Sequence, residues 1–271
     1  MTQVVFLHHH FSDLSPPLPD ILGNGGKMEG WVSSYLSFVY NTHMDHVFRY
    51  HPEILSQFPT LHAGVILAEG LNNPPTSDAL NAEFIQEQKA VIERIGQIPI
   101  SEIPSLAGWR AAFRKFGVDP TQYRSSIEAL LRRLTKKGDI PSINTLVDVA
   151  NMVSIHYALP VAAFNLRSLK LPVTVRFSNG SERYLPLGET VVEHPIPGEV
   201  IFADETGLVI ARRWCHRQSD ESAAREDTTH ALFTIEAQHD GGETDVQRAL
   251  EELLELLRKY SGGRFQIARL P

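Results

Sequence analysis

A chain of 271 residues, 42% hydrophobic and 21% charged, is long enough to bury a sizeable core without disulfides or structural metals. Its single cysteine, Cys215, excludes an internal disulfide and any Cys-based zinc or iron–sulfur site. The net charge of −7 argues against a protein that coats nucleic acid non-specifically. With no long apolar run and no basic start leading into an apolar stretch, the expectation is a soluble, cytoplasmic protein with no membrane partner.

Residues 1–43 read as a loop-rich extension. His8, His9 and His10 precede a Pro-rich stretch and then Gly23, Gly25 and Gly26, which break helices and strands. Trp31–Tyr40 is a short apolar segment able to dock. Regular patterning begins just after Met44, and the expected domain runs over 44–240, with 241–271 forming a C-terminal helix packed on it.

The apolar run Ala63–Leu67 predicts a buried strand. Ser77 or Asp78 caps a helix to about Ile95, with Leu80, Phe84, Val91 and Ile95 on one face. Pro104 opens a helix that Gly117 stops. Ser125 with Glu128 reads as a capping box for a helix ending at Gly138. Asn144 or Thr145 starts another, closed by Pro160. From Leu171 the period switches to two, and Asn179-Gly180 predicts a hairpin with a return strand over Arg183–Leu187. Strands are expected at Glu199–Ala203, Leu208–Arg213 and His230–Ala237, and Gly241-Gly242 leads into an amphipathic helix to Tyr260. The fold class is α/β (α+β layered), with a helical N-terminal half and a strand-rich C-terminal half.

Charge is concentrated. Arg110, Arg114, Lys115, Arg124, Arg132, Arg133, Lys136 and Lys137 outweigh Asp119, Glu128 and Asp139 over one stretch, which fits either a phosphate-bearing partner on one face or a solvated helix surface. The histidines His43, His46, His51 and His62 complete no metal-binding spacing, so no metal and no cofactor is expected. Cys215-His216 reads as strand neighbours pointing to opposite faces, too far apart for a nucleophile–base dyad.

Two stretches are more particular than packing requires. In Ile140–Asn151, Asn144, Asp148 and Asn151 fall at i, i+4 and i+7 and share one helix face. In Ala211–Arg217, an aromatic residue stands among arginines, a pattern suited to stacking a base or clamping a phosphate. Together with Trp109-Arg110, Phe116–Pro120, Leu159–Asn165, Pro186–Gly188 and Gly198-Glu199, this ordered string resembles the B3/4 domain, the editing region of the phenylalanyl-tRNA synthetase beta subunit, in its freestanding form. Where the synthetase motif reads proline–apolar–histidine–alanine–phenylalanine–aspartate, this chain has Ala162 for the histidine and Asn165 for the aspartate.

That resemblance implies a B3/4-like fold whose cleft receives the aminoacylated 3′ end of tRNA. It implies hydrolysis of mischarged aminoacyl-tRNA in trans, without the complete ligase. A non-catalytic RNA-binding module and a small-molecule, amino-acid-like binder are the alternatives, and no obligate protein partner is evident. The catalytic candidates are His216 as base and Asn144 and Asn151 as donors to an oxyanion, with Ser219 beside them. The substrate-binding set adds Asp148, Ala162, Phe164, Asn165 and Glu199. Arg213, Trp214 and Arg217 are assigned to the terminal adenosine or its phosphate, and Asp220 and Glu221 to the substrate ammonium. Arg110, Arg114, Lys115, Arg132, Arg133, Lys136 and Lys137 form the expected tRNA-backbone face.

Overall fold

A computed structural model of the protein describes residues 44–270. The expected extension over residues 1–43, with its histidine tract, the Trp31–Tyr40 segment and His43, lies outside the described residues.

Nine strands and six α-helices follow one another in this region: β1 (Phe48–Tyr50), α1 (Pro52–Gln57), β2 (His62–Glu69), α2 (Asp78–Ile95), α3 (Pro104–Lys115), α4 (Ser126–Lys137), α5 (Thr145–Tyr157), β3 (Val161–Asn165), β4 (Val173–Phe177), β5 (Val200–Ala203), β6 (Val209–Arg212), β7 (Arg217–Gln218), β8 (His230–Ala237), α6 (Gly242–Tyr260) and β9 (Arg264–Leu270). No described helix is long and apolar enough to cross a membrane. The helices stop and start where local chemistry demands. Ser77 accepts from the Leu80 amide and Ser125 from that of Glu128. Gly138 ends α4 at φ +83°, a left-handed conformation that costs a side chain dearly.

The strands form two sheets. One runs β3-β8-β2-β9, antiparallel throughout; the other runs β1-β4-β5-β6-β7, with β1 parallel to β4. The first sheet is the middle layer. Alternation along β2 sends Ile66 and Ala68 into a core shared with α2, α4, α5 and α6, and Ala63, Val65 and Leu67 into a second core shared with the other sheet and α3. On β8, Ala231, Phe233, Ile235 and Ala237 face the helices, while Leu232 faces the second core. At Gly64 a Cβ would stand 3.0–3.3 Å from Leu250 and Val246, which brings α6 hard against β2.

The segment 241–271 is not a helix alone: α6 ends at Tyr260, and Arg264–Leu270 adds to the middle sheet as β9 because its backbone pairs with β2. Three further expectations are corrected. Asn179-Gly180 does not turn β4 back on itself: β4 pairs with β5, and residues 183–187 form only isolated bridges to Leu208, Glu193 and Ser219. The buried Glu182 carboxylate takes the turn over, accepting from Ser178, Arg176 and the amides of Asn179 and Gly180. Burial alone would raise this carboxyl, but those bonds outweigh it and hold it at about 2. Second, the capping box is half made: Glu128 turns to Arg110 and Arg132 (both 2.8 Å) instead of back to its cap. Third, Cys215 and His216 stand in a turn between β6 and β7, not on a strand.

Candidate functional site

Where α4, α5 and the β6–β7 turn meet the β3–β8 side of the middle sheet, they enclose a half-open cleft of about 400 Å³. The walls are mainly apolar: Ala129, Leu130, Val147, Ala150, Ala162 and Phe164 contribute, with Trp214 behind them. Exposed Arg133 and Arg217 stand at the open side, with His216 between surface and interior. Deep inside lie Thr234 and Glu236, two residues apart on β8 and so on one face of the strand.

The turn that shapes the cleft is strained. Arg213 and Trp214 take φ of +45° and +59°, a left-handed conformation that costs a non-glycine residue roughly 1–2 kcal/mol each. Buried Glu199 offsets this by accepting from the Arg213 amide (2.8 Å) while gripping the Arg212 guanidinium, and the Trp214 amide donates to Val200 (2.7 Å). The turn thereby drives the Trp214 indole inward, where Nε1 donates to Glu236 Oε1 (2.8 Å). Tyr50 Oη donates to the same oxygen (2.5 Å).

Burial raises the Glu236 carboxyl to about 7, against the pull of the Trp214 and Tyr50 hydrogen bonds. The neighbouring Cys215 thiol is pushed well above its ordinary value, first by burial and then by Glu236, which favours the neutral thiol. His216 Nδ1 lies 2.7 Å from the Arg124 carbonyl, which can only accept; the proton is therefore on Nδ1, and Nε2 keeps its lone pair. Burial lowers the His216 pKa, opposed by that carbonyl and assisted by Arg213 and Arg217. Among the described residues, Glu236 Oε2 and the Asn151 and Thr234 side chains have no hydrogen-bond partner in the protein, so three polar groups on the cleft wall are free for a ligand.

Of the residues expected at the site, Asn151, Ala162, Phe164, Trp214, His216 and Arg217 line the cleft. Trp214 is 0% exposed and committed to Glu236, so it cannot stack on an adenine. Arg213 lies outside the lining, its guanidinium 3.9 Å from the Tyr123 ring centroid. Asn144 caps α5, accepting from the Val147 amide and donating to the Ala224 carbonyl. Asp148 is 0% exposed and holds the Thr76 and Ser142 hydroxyls and the Ile143 amide. Asn165 accepts from the Arg167 amide, Ser219 caps the short turn of helix at 220–222, Asp220 pairs with Arg225, and Glu221 with Arg183. These polar side chains are engaged by the fold, with Glu221 Oε2 alone among these groups buried without a partner.

The basic face divides likewise. Arg110 and Arg132 neutralise buried Glu128, and Lys115 donates to the Gln57 carbonyl. Arg133 is shared between Asp139 and the cleft. Arg114, Lys136 and Lys137 are exposed and form no ion pair among the described residues. Glu236 itself goes unnoticed in the sequence; its signal is one carboxylate inside the otherwise apolar alternation of His230–Ala237. No group of three metal-ligating side chains gathers among the described residues.

Residues 108–262 match the family model described as the B3/4 domain. No curated protein matches the chain. Among solved structures, an N-terminal fragment of the phenylalanyl-tRNA synthetase beta-subunit from Pyrococcus horikoshii is similar over 82% of this chain and 50% of its own length, at 12% identity and a TM-score of 0.43. The chain thus spans half of that fragment.

Proposed function

The chain belongs to the B3/4 domain family, and from this premise we propose that it binds tRNA and hydrolyses mischarged aminoacyl-tRNA in trans, with the cleft beside the β6–β7 turn as its site. The observation that carries the reading is the distribution of polarity in that cleft. The apolar walls carry free hydrogen-bonding groups, Glu236 Oε2 and Thr234 in the depth and the half-buried Asn151 on the wall, while two arginines stand at the opening. Such a site suits an amino-acid side chain held inside and a nucleotide phosphate held at the rim.

An aminoacyl ester is already activated, so its hydrolysis needs a placed water and a stabilised oxyanion. His216 Nε2 takes a proton from water as the oxygen attacks the ester carbonyl. The Asn151 amide donates to the oxyanion, and on collapse the bond to the ribose oxygen breaks. The imidazolium returns its proton to that oxygen, leaving free amino acid and uncharged tRNA. The exposed Arg114, Lys136 and Lys137 supply further contacts to the tRNA backbone.

A panel of correctly and wrongly charged tRNAs, assayed for deacylation alongside binding of uncharged tRNA, tests this. Deacylation of one mischarged species, lost in Asn151→Ala and reduced in His216→Ala, is the expected result. One observation favours a second reading: Ala162 lines the cleft where the synthetase motif carries a histidine. Binding of uncharged tRNA with no deacylation of any species would select a non-catalytic RNA-binding module.

A further inference from the structure

We propose that Tyr50, on a strand preceding the family-matched segment, is a positioning residue of the cleft: its phenol, together with the Trp214 indole, pins one oxygen of Glu236 and so presents the other to the ligand. The inference deepens the reading of the cleft as a ligand site and rests on it.

Both donors converge on Oε1, Tyr50 Oη at 2.5 Å and Trp214 Nε1 at 2.8 Å, and Oε2 has no protein partner among the described residues. A carboxyl held at one oxygen by two donors from different elements cannot rotate without losing both bonds. It therefore addresses the cleft through a single atom in one orientation. Tyr50 is itself fixed: it is buried, its ring meets Phe48 edge-on at 5.3 Å, and its strand is zipped to β4 opposite Val175. Burial and the adjacent carboxyl push the phenol well above its ordinary pKa, so it remains a donor at any working pH.

The groups facing Glu236 are few. Tyr50 comes from β1, Trp214 and Cys215 from the turn, and Thr234 from its own strand; Arg133, His216 and Arg217 are the charged or titrating groups elsewhere on the cleft wall. The two hydrogen bonds stabilise the ionised carboxylate against burial. Tyr50 thus also sets the pH at which Oε2 changes from a donor to an acceptor.

The test is a titration of the full chain carrying carboxyl-¹³C glutamate, with the Glu236 resonance assigned by its loss in Glu236→Gln. The wild-type midpoint is expected near 7. Tyr50→Phe keeps the ring packed on Phe48 and removes only the hydroxyl; the midpoint should rise by about one pH unit, the size of one hydrogen bond to a charged group. Trp214→Phe, which removes the other donor, should move it the same way. A folded Tyr50→Phe protein whose Glu236 midpoint matches wild type overturns the proposal. On any substrate found by the deacylation panel, Tyr50→Phe should shift the pH profile together with the midpoint; a lower melting temperature with an unmoved profile would mean a merely structural tyrosine. The titration needs no ligand, so a silent deacylation panel leaves it standing.

Discussion

Glu199 and Arg212 meet as a buried fork: Oε1 accepts from Nε and Oε2 from Nη2, each at 2.9 Å, with both side chains about 95% or more enclosed. Since Oε1 also receives the Arg213 amide, one carboxylate holds both the guanidinium and the strained backbone that aims Trp214 inward.

Glu199→Ala should therefore cost roughly 3 kcal/mol in chemical denaturation, because it leaves the buried Arg212 guanidinium with Glu193 alone and releases the turn. A stable Glu199→Ala protein that has lost only ligand binding would return Glu199 to the substrate set.

Glu236 gives the protein a pH signature. Its folded pKa of about 7 lies above its ordinary value of 4.5, so the folded state holds the proton more tightly than the unfolded chain. Stability contributed by this group is full below about pH 4.5 and falls as pH rises toward 7. The difference amounts to about 3 kcal/mol across that window. Glu236→Gln should flatten this fall in urea titrations at pH 5 and pH 8. An identical pH dependence in the variant would show that the carboxyl is not held neutral.

Asn144 and Asn151 separate fold from site. Asn144→Ala should lower stability by about 1–2 kcal/mol through removal of the cap, whereas Asn151→Ala should leave the melting temperature near wild type. The reverse order would place Asn144, not Asn151, in the cleft.

The basic helices divide in the same manner. Lys136→Glu with Lys137→Glu should weaken tRNA binding and reduce its salt slope by roughly one for each phosphate no longer neutralised, with stability unchanged. Arg110→Ala should instead destabilise by uncovering Glu128. Equal tRNA affinity for the double variant at low salt would remove these lysines from the interface.

Helices α2 to α6 are legible in the sequence because their signals are local: Ser77, Ser125 and Asn144 at the starts, Gly138 at an end, and apolar spacing between. The failures are non-local. Asn179-Gly180 carries a hairpin signal, but Glu182 and the pairing of β4 with β5 decide otherwise. Strand β9 exists through its register with β2, nearly two hundred residues earlier, and β1 through β4. The asparagines and carboxylates read as substrate ligands share the residue types of a ligand site, yet caps and buried ion pairs use the same types. Only the partners found in the fold tell them apart. Asn151 and His216 emerge on the cleft, while Tyr50, Thr234 and Glu236 become visible only when two sheets and a turn converge.

The alternation along β8 has a bearing on how the sheet assembles. Slide β8 by one residue against β2 and β3, and Glu236 exchanges faces with its apolar neighbours. The carboxyl would then enter the helix-covered apolar core without Tyr50 or Trp214 to meet it, and Ile235 would turn toward the cleft. The same glutamate that makes the cleft chemically distinctive thus penalises the misaligned sheet, so that choosing the correct strand register and building the site are one event in folding.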